Sequence, residues 1–310
     1  MDTTHLRLHA LMARASAQAA GRPAPLGLVY PCDALALDAA QRIRLSGMAR
    51  PVLIGPAALI AAAADAAQVD VRDFELIDGG SSAPDAAVRA CTLARSQDLH
   101  ALMKGSLHTD ELMAAVVNKE QGLRASSRIS HAFVFDLPRY HKLLALADCV
   151  VNIAPDLKTK KDILGNAVAL LQQLGMAQPK VAIVAAVEVV NPAIPATLDA
   201  QALVEMAQAG AWPGAIVEGP FGFDNAFSAE AARIKKIDSQ VAGDADLLLM
   251  PDLNAGNMLY KSFNYVGGGD CAGLVLGAQV PIVLTSRADS LQSRMASVAL
   301  AVLAAAPASA

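Results

Sequence analysis

Several signatures that would settle a function quickly are missing from this chain of 310 residues. Its four cysteines (Cys32, Cys91, Cys149 and Cys271) include no C-x-x-C pair, which removes the commonest zinc and thiol-redox motifs. No apolar run reaches the roughly 18 residues of a membrane helix. The longest basic run is "KTKK" at 158–161 and the net charge is −4, so no nucleic-acid surface is expected. There is no P-loop, no H-E-x-x-H and no G-x-S-x-G. "GGGDCAG" (267–273) has the wrong glycine spacing for a dinucleotide fingerprint and precedes a strand instead of following one; it reads as a turn. The first twenty residues lack a continuous apolar segment of signal length. Unpaired thiols suit a reducing compartment, so a cytoplasmic, soluble protein is expected.

What is present is a large core-forming fraction: 54% of residues are hydrophobic and 17% charged, enough for one large α/β unit or two lobes. Short apolar runs alternate with Ala-rich segments of helical period. The runs predict strands at 26–30, 51–55, 74–78, 100–104, 131–136, 148–153, 180–188, 214–219, 246–250, 272–277 and 280–284. Lys158 to Leu174 is one clear helical segment between them. Alternation of this kind predicts βαβ units and a largely parallel sheet with helices on both faces. No internal repeat or flexible spacer interrupts it.

In open α/β sheets ligands sit beyond the carboxyl ends of the strands. The segments that follow the runs are rich in Gly, Asn, Asp, Ser and Thr: "GSLHTDE", "VVNPAIP", "PFGFDNAFS", "PDLNAGN" and "TSRADS". The last is the most informative. Ser286 and Asp289 form S-x-x-D, a capping box opening a helix that runs to about Ala305. Arg287 does not fit that reading alone. A helix N-terminus carries a positive dipole end, and a cation there is unfavourable unless an anion such as phosphate shares the site. His108 and His131 lie near strand ends, where a lone histidine is more often structural.

With these segments in view, the chain resembles the phosphate acetyltransferase and phosphate butyryltransferase family. The matching stretches include "LMKGSLHTDELMAAVVNKEQGLR", "RISHAFVFDLP", "NIAPDLKTK", "VEGPFGFDNAFS", "VAGDADLLLMPDLNAGNMLYK" and "VPIVLTSRADS", in the family's order over about residues 100–300. The resemblance implies a two-lobed α/β fold like that of isocitrate and isopropylmalate dehydrogenases, with the active site in the interdomain cleft. It implies a first lobe of residues 1–140 and 275–310, and a second lobe, 141–274, that forms a homodimer. It also implies reversible transfer of an acetyl or butyryl group between coenzyme A and phosphate.

The related dehydrogenases bind a divalent metal through G-D-x-x-x-D. Here the similar stretch is "GNMLYK", with Asn257 and Lys261 in place of the carboxylates. An amide and an ammonium do not hold Mg²⁺ or Mn²⁺, so no metal is expected and the pair is assigned to substrate binding. By the same resemblance, Ser286 and Arg287 are catalytic and Arg128 and Lys104 hold substrate phosphate groups. Asp289 is the nearest candidate base, because Ser293 stands where the acetyltransferases carry their aspartate. Two other readings stay open: an acyl-phosphate enzyme of the same fold with a different acyl chain, and a non-catalytic acyl-CoA sensor.

Overall fold

The computed structural model describes residues 5–284 and 289–305. In chain order the first elements are α1 (Leu6–Ala19), β1 (Pro25–Val29), α2 (Ala34–Ser46), β2 (Arg50–Gly55), α3 (Ala57–Ala67), β3 (Glu75–Asp78), α4 (Ala83–Arg95), β4 (Ala101–Lys104) and α5 (Thr109–Val116). Next come β5 (Ser130–Asp136), β6 (Leu144–Ala147), α6 (Leu157–Gln173), β7 (Lys180–Val184), α7 (Pro195–Gln208), β8 (Ile216–Phe221), α8 (Phe223–Phe227) and α9 (Ala229–Ile234). The last are β9 (Leu247–Leu249), α10 (Leu253–Tyr265), β10 (Asp270–Leu276), β11 (Ile282–Val283) and α11 (Leu291–Ala304).

The chain forms two compact units, one of Met1–Arg7 with Ser130–Cys271 and the other of Leu8–Ile129 with Ala272–Ala310. Two divisions fall at 129/130 and 271/272, where the sequence reading put them at 140/141 and 274/275, and a third falls at 7/8, inside what was read as one continuous lobe. Strand β5 accounts for the division at 129/130, because it pairs antiparallel with β6 along four residues and shares its core.

In the second unit the strand order is β3-β2-β1-β4-β11-β10. All neighbours are parallel except β10 and β11. Leu28, Leu53, Ile54, Leu102, Ile282 and Val283 are wholly buried there. These strands are continuous apolar runs because helices cover both faces. In the first unit the order is β5-β6-β9-β7-β8, parallel throughout except for β5 against β6. Its core joins Phe135, Leu146, Ala182, Phe221 and Leu248 to Phe263 of α10. Tyr260 of α10 stacks on Phe133 at 4.2 Å between centroids.

Two expected elements differ. "DCVVNI" (148–153) is not a strand; "LALA" before it is, and all four of its residues are buried. Asp148 explains the change. Its carboxylate accepts from the backbone N–H groups of Val150, Val151 and Asn152 at 2.8, 3.0 and 3.3 Å. Those donors are then satisfied locally and unavailable to a ladder. The second difference is the last helix. It begins at Leu291 with Ser290 as N-cap, the Ser290 side chain accepting from Ser293 N–H at 2.9 Å. The capping box read from Ser286 and Asp289 is therefore corrected. The cap of α11 is Ser290, four residues further on, and Ser286 itself lies outside the described residues.

Candidate functional site

In the second unit, β11 runs parallel beside β4 with Val283 opposite Met103. Lys104 and Leu284 therefore leave the sheet at the same carboxyl edge. The Lys104 ammonium donates to the carbonyls of Leu107 at 3.1 Å and Gly105 at 3.4 Å, so the turn after β4 holds it in place. That turn is tight. Gly105 N–H donates to Val29 O at 2.9 Å, and Ser106 Oγ donates to Tyr30 O at 2.7 Å while accepting from Cys32 N–H at 3.0 Å. A Cβ on Gly105 would lie 2.4 Å from Val29 O, so only glycine fits where the two loops meet.

Ser286 and Arg287 lie outside the described residues. Asp289, at the far end of that segment, is half-buried. Its carbonyl accepts a long hydrogen bond, 3.4 Å, from Nε of Arg294. Arg294 was missed by sequence reasoning. It is 5% exposed, on a helix whose other buried residues are Ala, Val, Leu and Ser, and a single arginine at helical spacing among small and apolar residues was the available signal. Ser293, where the acetyltransferases carry aspartate, is also buried. Its carbonyl accepts from Ser297 Oγ at 2.7 Å, and Ser297 Oγ in turn accepts from Gly273 N–H of β10 at 2.9 Å. Arg128 is exposed, two residues before β5.

The first unit gathers its polar groups around the carboxyl end of β6. Gly256 lets α10 approach there: a Cβ at that position would lie 2.5 Å from Asp148 O. The next residue, Asn257, donates through Nδ2 to Cys149 O at 3.2 Å. Lys261, one turn on, is exposed and lies 6.0 Å from the Tyr260 ring centroid, with no carboxylate partner among the described residues. Asp148 additionally accepts from Asn152 Nδ2 at 2.7 Å and from His131 N–H at 3.3 Å. Nearby, Asn166 Nδ2 donates to Ser130 Oγ at 2.9 Å. The structure thus brings Asn257 to the Asp148 turn in one unit, and Lys104 to the edge from which the 285–290 segment departs in the other.

His131 is buried, and its Nδ1 has no hydrogen-bond partner. Burial pushes its pKa down to about 4, against the opposing pull of Asp148. Three of the cysteines are poor nucleophiles. Burial, then Asp33, pushes Cys32 up to about 11. Burial pushes Cys91 up to about 12 against the pull of Arg95. Cys149 is raised well above its usual value by burial and by neighbouring Asp148 and Cys271. All four are free thiols, and Cys32, Cys91 and Cys149 are held in the protonated, unreactive form. Among the described residues no three or more His, Cys, Asp or Glu side chains converge as a metal-ligand set, and no helix is long and apolar enough to cross a membrane.

A parallel α/β frame with its polar loops at the strand carboxyl ends is a substrate-binding frame. The family follows from the comparisons. A family model described as Phosphate acetyl/butaryl transferase matches residues 80–302. A phosphate acetyltransferase of Rhizobium meliloti is 47% identical over 293 residues, covering 94% of this chain and 92% of that one. A phosphate butyryltransferase of Clostridium acetobutylicum is 39% identical over 271 residues, covering 87% and 90%. Among solved structures, a branched-chain phosphotransacylase from Enterococcus faecalis V583 superposes with a TM-score of 0.80 at 28% identity, covering 91% of this chain and 99% of that one. The chain belongs to the phosphate acetyltransferase and phosphate butyryltransferase family and is an acyltransferase.

Proposed function

We propose that the chain interconverts acyl-CoA plus phosphate with acyl phosphate plus CoA, and that acetyl is its preferred acyl group. The carrying observation is the 47% identity to a phosphate acetyltransferase over 94% of the chain. The 39% identity to a phosphate butyryltransferase over 87% of the chain keeps butyryl as the competing substrate.

In the direction of acyl-CoA synthesis, the CoA sulfur attacks the carbonyl carbon of the acyl phosphate. A C–S bond forms, the C–O bond to phosphate breaks, and phosphate leaves with the bonding pair. The thiol proton passes to a base, for which Asp289 is the candidate. A free thiol has a pKa of about 8.5, and general-base help is worth about 10²–10⁴-fold. Arg287 would pair with the phosphate, and the Ser286 hydroxyl would donate to the developing oxyanion. Lys104 and Arg128 would bind phosphate groups of either substrate, with Asn257 and Lys261 contributing from α10. No covalent enzyme intermediate is required, because holding both substrates in register supplies much of the rate.

The same reading needs no divalent metal. Asn257 spends its amide N–H on Cys149 O, and Lys261 brings positive charge where a metal would need carboxylates. It also makes the active form a homodimer. Met258, Tyr265 and Val266 at α10, together with Ile153, are large apolar side chains left exposed, a patch of the kind that a partner subunit covers. The free thiols support a cytoplasmic site of action.

The test is phosphorolysis of acetyl-CoA and butyryl-CoA side by side in the presence of EDTA. Acetyl-CoA should give the higher kcat/KM, undiminished by the chelator. A butyryl preference would move the enzyme to the other branch. Activity lost to EDTA and restored by Mg²⁺ would overturn the metal-free mechanism.

A further inference from the structure

A cavity of about 740 Å³ opens in the second unit, at the amino ends of β1, β2 and β4. This is the opposite end of those strands from the turn that carries Lys104. Cavities of about 300–1,000 Å³ are the size that takes metabolites. The polar lining is Gln18, Arg22, Arg50 and His100, the apolar lining includes Leu26 and Val302, and no carboxylate lines it among the described residues.

The three basic residues are fixed to one short stretch of chain. Helix α1 ends at Ala19, and Gly21 turns the chain at φ 82°, so that Arg22 follows directly. Arg50 N–H donates to Ala24 O at 2.9 Å, and His100 N–H donates to Pro25 O at 2.9 Å. Three segments distant in sequence are therefore stitched at the backbone so that their side chains share one cavity. Arg50 is paired with Glu75. The Arg22 guanidinium and the His100 ring meet no acceptor among the described residues.

A plainer reading has Arg22 present only to complement the carboxyl end of α1, where a cation is favourable. That accounts for one residue. It does not account for His100 and Arg50 facing the same space, nor for the absence of a carboxylate from its lining among the described residues. A guanidinium without counter-charge, beside an imidazole and an apolar wall, is complementary to an organic anion.

We propose that this cavity is a second small-molecule site, independent of acyl transfer, which binds a metabolite-sized organic anion bearing a carboxylate or phosphate on an apolar body. The experiment is fluorine NMR of 4-fluorobenzoate and 4-fluorophenyl phosphate titrated with the full chain, CoA being present to occupy its own site. At least one probe should bind saturably with a Kd below about 1 mM. Which probe binds tells carboxylate from phosphate chemistry.

The double variant Arg22→Gln, His100→Gln should weaken binding at least about tenfold, a loss of about 1.4 kcal/mol, with kcat/KM for acyl transfer unchanged. Val302→Trp, which fills the cavity from its apolar side, should abolish binding by a separate route. The proposal is overturned if neither probe binds, or if both variants bind as the wild type does.

Discussion

Burying a histidine without a partner for Nδ1 makes stability depend on pH in a defined direction. His131 is held neutral in the fold down to about pH 4, whereas the unfolded chain takes up that proton at about 6.5. Between these values the unfolded state binds more protons, so stability is full above about pH 6.5 and is lost as pH falls toward 4. The loss should reach about 2 kcal/mol by pH 5. Urea unfolding at pH 7.5 and pH 5 measures it, with His131→Gln as the comparison, since glutamine carries no proton to titrate. Equal pH dependence in the two proteins would show that His131 is not the cause. The sequence announced a histidine beside a strand end but not its burial, because burial depends on Phe133 and Asp148 meeting it from the rest of the unit. Arg294 was hidden for the same reason: its partner is a backbone carbonyl, which leaves no mark in residue types.

Among the described residues, apolar runs located ten of the eleven strands, because strands covered on both faces must be apolar throughout. The run at 148–153 misled because Asp148 gathers the following N–H groups into a turn. The start of α11 was misplaced because Ser286 and Ser290 both make plausible caps in sequence, and it is Ser290 that precedes the helix and accepts from the N–H three residues on. The turn after β4 was legible as a glycine in a polar loop, but not as a steric requirement. Gly105→Ala sets a methyl against Val29 O and Tyr30 O, at 2.4 and 2.7 Å before relaxation. We expect a loss of about 1–3 kcal/mol, read by thermal unfolding, together with a raised KM as the Lys104 turn shifts. An unchanged melting temperature would mean that the two loops part easily.

For the whole molecule, the ordered polar loops carried more information than any single motif, since they must leave successive parallel strands at the same edge. Ser286 and Arg287, the pair that the resemblance marks as catalytic, lie outside the described residues; Asp289 is half-buried, its carbonyl accepting from Arg294. Helix α11 begins at Leu291, and its cap is the side chain of Ser290. Arg287→Ala should therefore leave the melting temperature unchanged while lowering kcat/KM more than about tenfold, a loss exceeding about 1.4 kcal/mol of transition-state stabilisation. An Arg287→Ala enzyme that retains wild-type kcat/KM would remove this residue from the chemistry.

The most direct test of acyl transfer between coenzyme A and phosphate is the appearance of free thiol when the purified chain is mixed with acetyl-CoA, with and without inorganic phosphate, in the presence of EDTA. Thiol release should require phosphate, saturate with it, and be matched mole for mole by acetyl phosphate. Release at the same rate without phosphate would reveal a hydrolase. No release with either acetyl-CoA or butyryl-CoA would contradict the enzymatic reading and favour a protein that binds acyl-CoA without turning it over.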